Sequence, residues 1–122
     1  MPTLKEAVLA RDLVLKDGVR TLKDSIIDRE EFVCPVPSEF PVVLGFIVGG
    51  QPDEEFSATT DVLSHMGKPI WSASETLQVG STGSLEGYGK IDIPVLDVGP
   101  CYIVLKFDNA EVWRQRIFFA RA

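Results

Sequence analysis

The chain holds a single histidine, His65, in the run Asp61-Val62-Leu63-Ser64-His65, and this is where a search for chemistry begins. A serine triad needs a hydroxyl, an imidazole and a carboxylate that meet in space, and one imidazole cannot build a His-rich metal site. The run matches no nucleophile motif, and Gly80-Ser81-Thr82-Gly83-Ser84 lacks the strand-to-helix setting of a nucleophile elbow. Gly83, Gly87 and Gly89 precede no helix, and no Gly-Lys-Ser or Gly-Lys-Thr offers a phosphate loop. Cys34 and Cys101 stand alone, outside any CxxC pair, which removes zinc ribbons and thioredoxin-like redox chemistry. Two reduced thiols in packing roles are the expectation. No catalytic residue, metal or cofactor is assigned, and the pattern points away from an enzyme.

Charge narrows the partners. Twelve Lys and Arg against eighteen Asp and Glu give a net charge of −6, a field that repels phosphate backbones and disfavours nucleic acid. Arg114, Arg116 and Arg121 form a local basic group without the interleaved aromatics of an RNA-binding strand. Arg11, Asp12 and Lys16 interrupt the opening segment before any signal-peptide core develops, and no window resembles a membrane-spanning helix. The expected location is the cytoplasm. At 122 residues the chain is expected to form one domain, residues 1–122, with enough buried surface to fold without staples.

The elements that must position any site read as strands. Residues 5–16 alternate through Ala7, Leu9, Leu13 and Leu15, although Thr3-Leu4-Lys5-Glu6 also fits a helix capping box. Asp17-Gly18 is a hairpin signal that tips the reading towards strand, with residues 20–33 returning on Leu22, Ile26, Ile27, Phe32 and Val33. Three prolines in residues 34–41 predict a crossover loop, because proline cannot donate to a ladder. Val42 to Val48 is a continuous apolar run, expected at the centre of a sheet and covered on both faces. Strands follow over residues 56–65 and 70–79, and then a long Gly- and Ser-rich loop over residues 80–89. Ile91, Ile93 and Val95 share one face of an edge strand marked by Pro94. Residues 102–107 and 111–120 form a hairpin about Asp108-Asn109, with Trp113, Gln115, Ile117 and Phe119 on one face. The tally is about eight strands of an all-β, two-sheet antiparallel sandwich, Ig-like or jelly-roll-like.

Strand parity then gathers the connections at two ends. One end collects residues 34–41, 66–69 and 98–101, bringing both cysteines near each other. The other collects Asp17, Asp53, Glu54, residues 80–89 and Asp108. This second end is acidic, and carboxylates arriving from separate loops are how a sandwich could hold calcium or a small ligand. The competing explanation is that Asp and Gly occupy turns for backbone reasons. Trp113, Arg116 and Phe118 are the candidates for a protein interface, where aromatics and arginine are enriched.

The string from Asp97 through Tyr102 to Val112, a glycine and tyrosine followed by alternating apolars and a polar turn, resembles the ending of many Ig-like sandwiches. With the opening strand, the proline crossover and the Gly67 turn, the whole chain resembles a small bacterial family of uncharacterised Ig-like β-sandwich proteins. The resemblance implies a two-sheet sandwich, and it implies no activity and no site residues. In Ig domains a tyrosine near this point makes a corner bond, for which Tyr102 is the matching residue. The function expected from these readings is a non-catalytic module that binds protein, self or other. A small-ligand or calcium binder, or an enzyme with an unrecognised site, is the alternative.

Overall fold

A computed structural model describes residues 1–122. The chain is all-β, with nine strands in two sheets. They are β1 (Thr3–Lys16), β2 (Val19–Ile26), β3 (Glu30–Cys34), β4 (Ser38–Gly49), β5 (Glu55–Leu63), β6 (Pro69–Gln78), β7 (Ser84–Val95), β8 (Gly99–Phe107) and β9 (Ala110–Arg121). The four-stranded sheet runs β2-β1-β4-β7 and the five-stranded sheet β3-β9-β8-β5-β6. All pairings are antiparallel except β3 with β9, which is parallel. One contiguous cluster of 21 buried residues lies between the sheets and draws on both, from Leu9, Leu44 and Ile93 on one side to Val62, Ile103, Leu105 and Phe107 on the other. The alternating apolar residues face inward, as the period of two requires.

The opening strand is extended throughout, and Asp17 and Gly18 turn it with φ of 51° and 77°, the double left-handed geometry of a two-residue hairpin. Its return is not one strand but two. β2 ends at Ile26, and Asp28-Arg29 carry the chain to the other sheet: Gln115 donates to the Ile26 carbonyl, Arg116 N–H donates to Asp28 and Arg29 N–H to the Arg116 carbonyl. Ile27, an expected apolar anchor, is exposed within this crossing.

The first half of β1 pairs with β4 and its second half with β2, so β1 leaves β4 after Ala10–Val43. That departure corrects the expected proline loop, which shrinks to residues 35–37. Pro41 lies inside β4, paired with Asp92 of β7 on one side only, and its missing N–H is tolerated on the open side. Further along, Asp24 interrupts β2 with a φ of 58°, and Leu22 then comes within 2.7 Å of where a Gly45 side chain would begin. Gly45 lies on the outer face of β4, opposite in parity to Leu44 and Phe46. The β1-β2 hairpin therefore folds across the outside of the four-stranded sheet, where Arg20 stacks at 5.7 Å on Tyr88. This explains how β4 is covered on both faces: Ala10 and Val43 are buried, yet stand outside the central cluster.

The expected loop over residues 80–89 is also corrected, because β7 begins at Ser84 and only residues 79–83 connect it to β6. Glycine there serves packing. The Phe46 ring occupies the place of a side chain at Gly87, its cross-strand partner, within 2.5 Å.

Candidate functional site

Two connections and the start of a strand meet where β5 turns into β6 and β7 passes to β8. Ser64, His65 and Lys68 come from the first turn, Leu96, Asp97 and Val98 from the second, and Gly99, Pro100 and Cys101 from the start of β8. Between them is a cleft of about 250 Å³ whose floor is apolar: Ile70, Val95, Cys101 and Phe119. Two large apolar side chains line it while standing in solvent, Leu96 64% exposed and Val98 44%, and Met66, 83% exposed, lies in the turn between the lining residues His65 and Lys68.

The sequence makes this rim through tight turns. Ser64 Oγ accepts N–H bonds from Met66 (3.3 Å) and Lys68 (3.2 Å), and its backbone N–H donates to the Lys68 carbonyl (2.8 Å). Gly67, at φ 78°, lets the chain reverse in so few residues. In the facing turn the Asp97 carboxylate accepts the Val98 N–H at 2.8 Å. Met66 stands inside the first turn and Val98 directly follows Asp97 in the second, and both are presented to solvent.

Two polar groups of the cleft, the Ser64 hydroxyl and the Asp97 carboxylate, are spent on backbone. Ser64 is an acceptor within its own turn, and burial pushes the Cys101 thiol up to about 12, so it is protonated and weakly nucleophilic at neutral pH. Cys34 is likewise free and buried in the same core cluster. Asp61, close to Ser64 and His65 in sequence, points to the outer face of the five-stranded sheet. There it accepts from Ser72 Oγ at 2.6 Å and pairs with Lys106 Nζ at 3.0 Å. Burial pushes its carboxyl up, but the bonds from Ser72 and Lys106 and the Lys106 charge outweigh this and hold it below the usual value. The run Asp61 to His65 therefore divides between two surfaces.

No family model and no curated protein matches this chain.

The residues of the expected acidic end are found at turns. Asp53 has a φ of 63°, Glu54 accepts the Gln51 N–H and sits 3.5 Å from the N-terminal amine, and Asp108 accepts the Ser57 N–H at 2.9 Å. Asp17 is at the tip of the folded-over β1-β2 hairpin, with a φ of 51°. No three of the chain's His, Cys, Asp and Glu side chains converge as metal ligands.

The expected interface residues separate as well. Trp113 pairs with Leu105 and packs against the core, whereas Arg116 and Phe118 lie together on the outer face, guanidinium to ring at 5.4 Å, both half-buried. Tyr102 lies beside them under Arg114 at 5.5 Å, and its hydroxyl makes no corner bond. Met66, Leu96 and Val98 were not among the sequence candidates. Their signal was present: large apolar residues inside turns otherwise written in Ser, Gly, Asp and Pro.

Proposed function

We propose that this chain is a non-catalytic Ig-like β-sandwich module that recognises protein through the loop end holding Met66, Leu96 and Val98. The observation that carries the reading is that Leu96 and Val98 line one apolar cleft while exposed, with exposed Met66 in the adjoining turn, since single exposed apolar residues are ordinary but a group of them beside an apolar cleft marks an interaction site. The size of the cleft bears on the partner. About 250 Å³ falls below the roughly 300–1,000 Å³ of pockets that enclose a drug-sized ligand. It is room for one or two side chains of an apolar protein segment, with His65 and Lys68 available for polar contacts at the edge.

Kinship with bacterial Ig-like sandwiches is supported by topology. β1, β4 and β7 share one sheet while β5, β8 and β9 share the other, as strands A, B and E and strands C, F and G do in Ig domains. Two free, buried thiols suit a reducing compartment such as the cytoplasm, and no helix is long and apolar enough to cross a membrane. Site-specific photo-crosslinking tests the reading: a photoreactive residue at Met66, in the producing cell, is expected to yield a discrete protein adduct that Leu96→Asp abolishes. Absence of any adduct, or an adduct indifferent to Leu96→Asp, contradicts it.

A further inference from the structure

The four sheet edges of this molecule are not equally defended. β2 carries Arg20, Lys23 and Asp24 and is kinked at Asp24, β3 is only 5 residues long, and β7 carries Glu86, Lys90, Asp92 and Pro94. Charge, brevity, proline and kinks are the usual devices that keep an edge from pairing with another chain. β6 has the fewest of them. It runs ten residues, begins with Pro69, and has Glu75 as its one charge. It pairs with β5 alone, and no other backbone hydrogen bond reaches residues 69–78, so the alternate N–H and C=O groups on its far side are unpaired.

We propose that this edge pairs with the same edge of a second copy, antiparallel about a two-fold axis at Ser74, to make a continuous sheet across a homodimer. This deepens the assembly side of the reading above and leaves the Met66 and Leu96 rim free.

The register follows from the residues. Two identical antiparallel strands related by a two-fold axis must pair residues of like parity, so the axis falls on a residue. An axis at Glu75 sets two carboxylates face to face, which is destabilising. An axis at Ala73 sets Glu75 against Trp71 and Leu77 against Pro69, and one at Ser72 leaves Thr76 and Leu77 beyond the partner strand. An axis at Ser74 uses the strand from Ile70 to Gln78. It places Trp71 opposite Leu77 twice on the core-facing side, and Ser72 opposite Thr76 with Ser74 opposite Ser74 on the outer side. The faces are already set within one chain: Trp71 and Leu77 pack against the core, while Ser72 bonds Asp61 and Ser74 bonds Thr59 on the outside.

Charge fits the same register. Glu75 comes opposite Ala73 of the second copy, and Ala73 lines a cleft with the chain's own Glu75 and with Lys90 at the edge of β7. Glu75 and Lys90 are both exposed and neither has an ion-pair partner within the chain. The two-fold axis thus brings a second glutamate, that of the other copy, to the cleft in which Lys90 and the chain's own Glu75 stand unpaired. An unrelated strand would be recognised by the open backbone alone, whereas a second copy also matches the apolar, hydroxyl and charged positions.

Sedimentation equilibrium of the full chain tests this. The wild type is expected to associate to twice the 13.4 kDa chain mass. Glu75→Lys and Lys90→Glu should each weaken association by about tenfold or more, and the double variant Glu75→Lys/Lys90→Glu should restore it. Under mild oxidation Ser74→Cys should form a disulfide-linked dimer. Thr76→Cys should not, because the two copies of residue 76 are four residues out of register, roughly 13 Å apart and beyond disulfide reach. A wild type that stays monomeric at the highest attainable concentration overturns the proposal. So does a dimer untouched by either charge reversal, or crosslinking of Thr76→Cys as ready as that of Ser74→Cys. Photo-crosslinking at Met66 reads the loop end separately.

Discussion

The two ends of the sandwich are built from similar turn residues and finish in opposite states. At the end holding Asp53, Glu54 and Asp108, the chain is laced to itself. Gly50 N–H donates to Gly83, Asp53 N–H to Val79, Val79 N–H to Glu54, and Asp108 exchanges bonds with Ser57 through both backbone and side chain. The N-terminal amine closes on Glu54. At the end holding Met66 and Leu96, each turn is closed only within itself, and an apolar cleft remains between them. The difference teaches that carboxylates in loops are not by themselves a binding surface. Here the Glu54 and Asp108 carboxylates act as acceptors for backbone N–H groups, and the surface left unsatisfied is the apolar one.

The comparison breaks most severely at the floor of the cleft. Phe119 lines it but is buried in the core, stacked edge-on to Phe40 at 5.2 Å. Phe119→Ala should cost about 3–5 kcal/mol in chemical denaturation, showing that the open end rests on the same core as the closed one. At the closed end, Gly83 holds a φ of 85°, and a side chain there would begin 3.1 Å from the Gly50 carbonyl oxygen. Gly83→Ala should therefore cost about 1–2 kcal/mol, whereas Leu96→Asp on the open rim should change stability by no more than about 0.5 kcal/mol.

Much of this fold was legible before any coordinates. The period of two in Tyr102 to Phe107, the Asp17-Gly18 and Asp108-Asn109 turns and the apolar run Val42 to Val48 act locally, and each became the expected element. What failed depended on partners remote in sequence. Pro41 reads as a loop residue until β1 is seen to abandon β4, and Gly87 reads as flexible until Phe46 is seen filling its space. The hairpin crossing the outer sheet hangs on one left-handed residue, Asp24, whose conformation no periodicity reports. The site was half legible. Parity places residues 66–69 and 98–101 at one end, but carboxylates in the other end's turns suggest ligands, and exposure cannot be read from a turn sequence.

Smaller effects sharpen the contrast. Burial raises the Cys101 thiol from an ordinary 9.0 to about 12, so the neutral form stabilises the fold fully below pH 9. That contribution is lost as pH rises towards 12, on the order of 1 kcal/mol by pH 10. Cys101→Ala should remove this part of the alkaline slope in denaturation followed from pH 8 to pH 10. At the closed end, where Asp53, Glu54 and Asp108 are committed to turns and the N-terminus, millimolar calcium should leave the thermal midpoint unchanged. A rise of several degrees would restore the carboxylates as a site.

The most direct test sets the two ends against each other in one experiment: photo-crosslinking in the producing cell from Leu96 on the open rim and from Asp53 on the closed end. A discrete partner adduct from position 96 and none from position 53 is the predicted result. Adducts from position 53 alone, or the same adducts from both positions, would contradict the assignment of recognition to the apolar end.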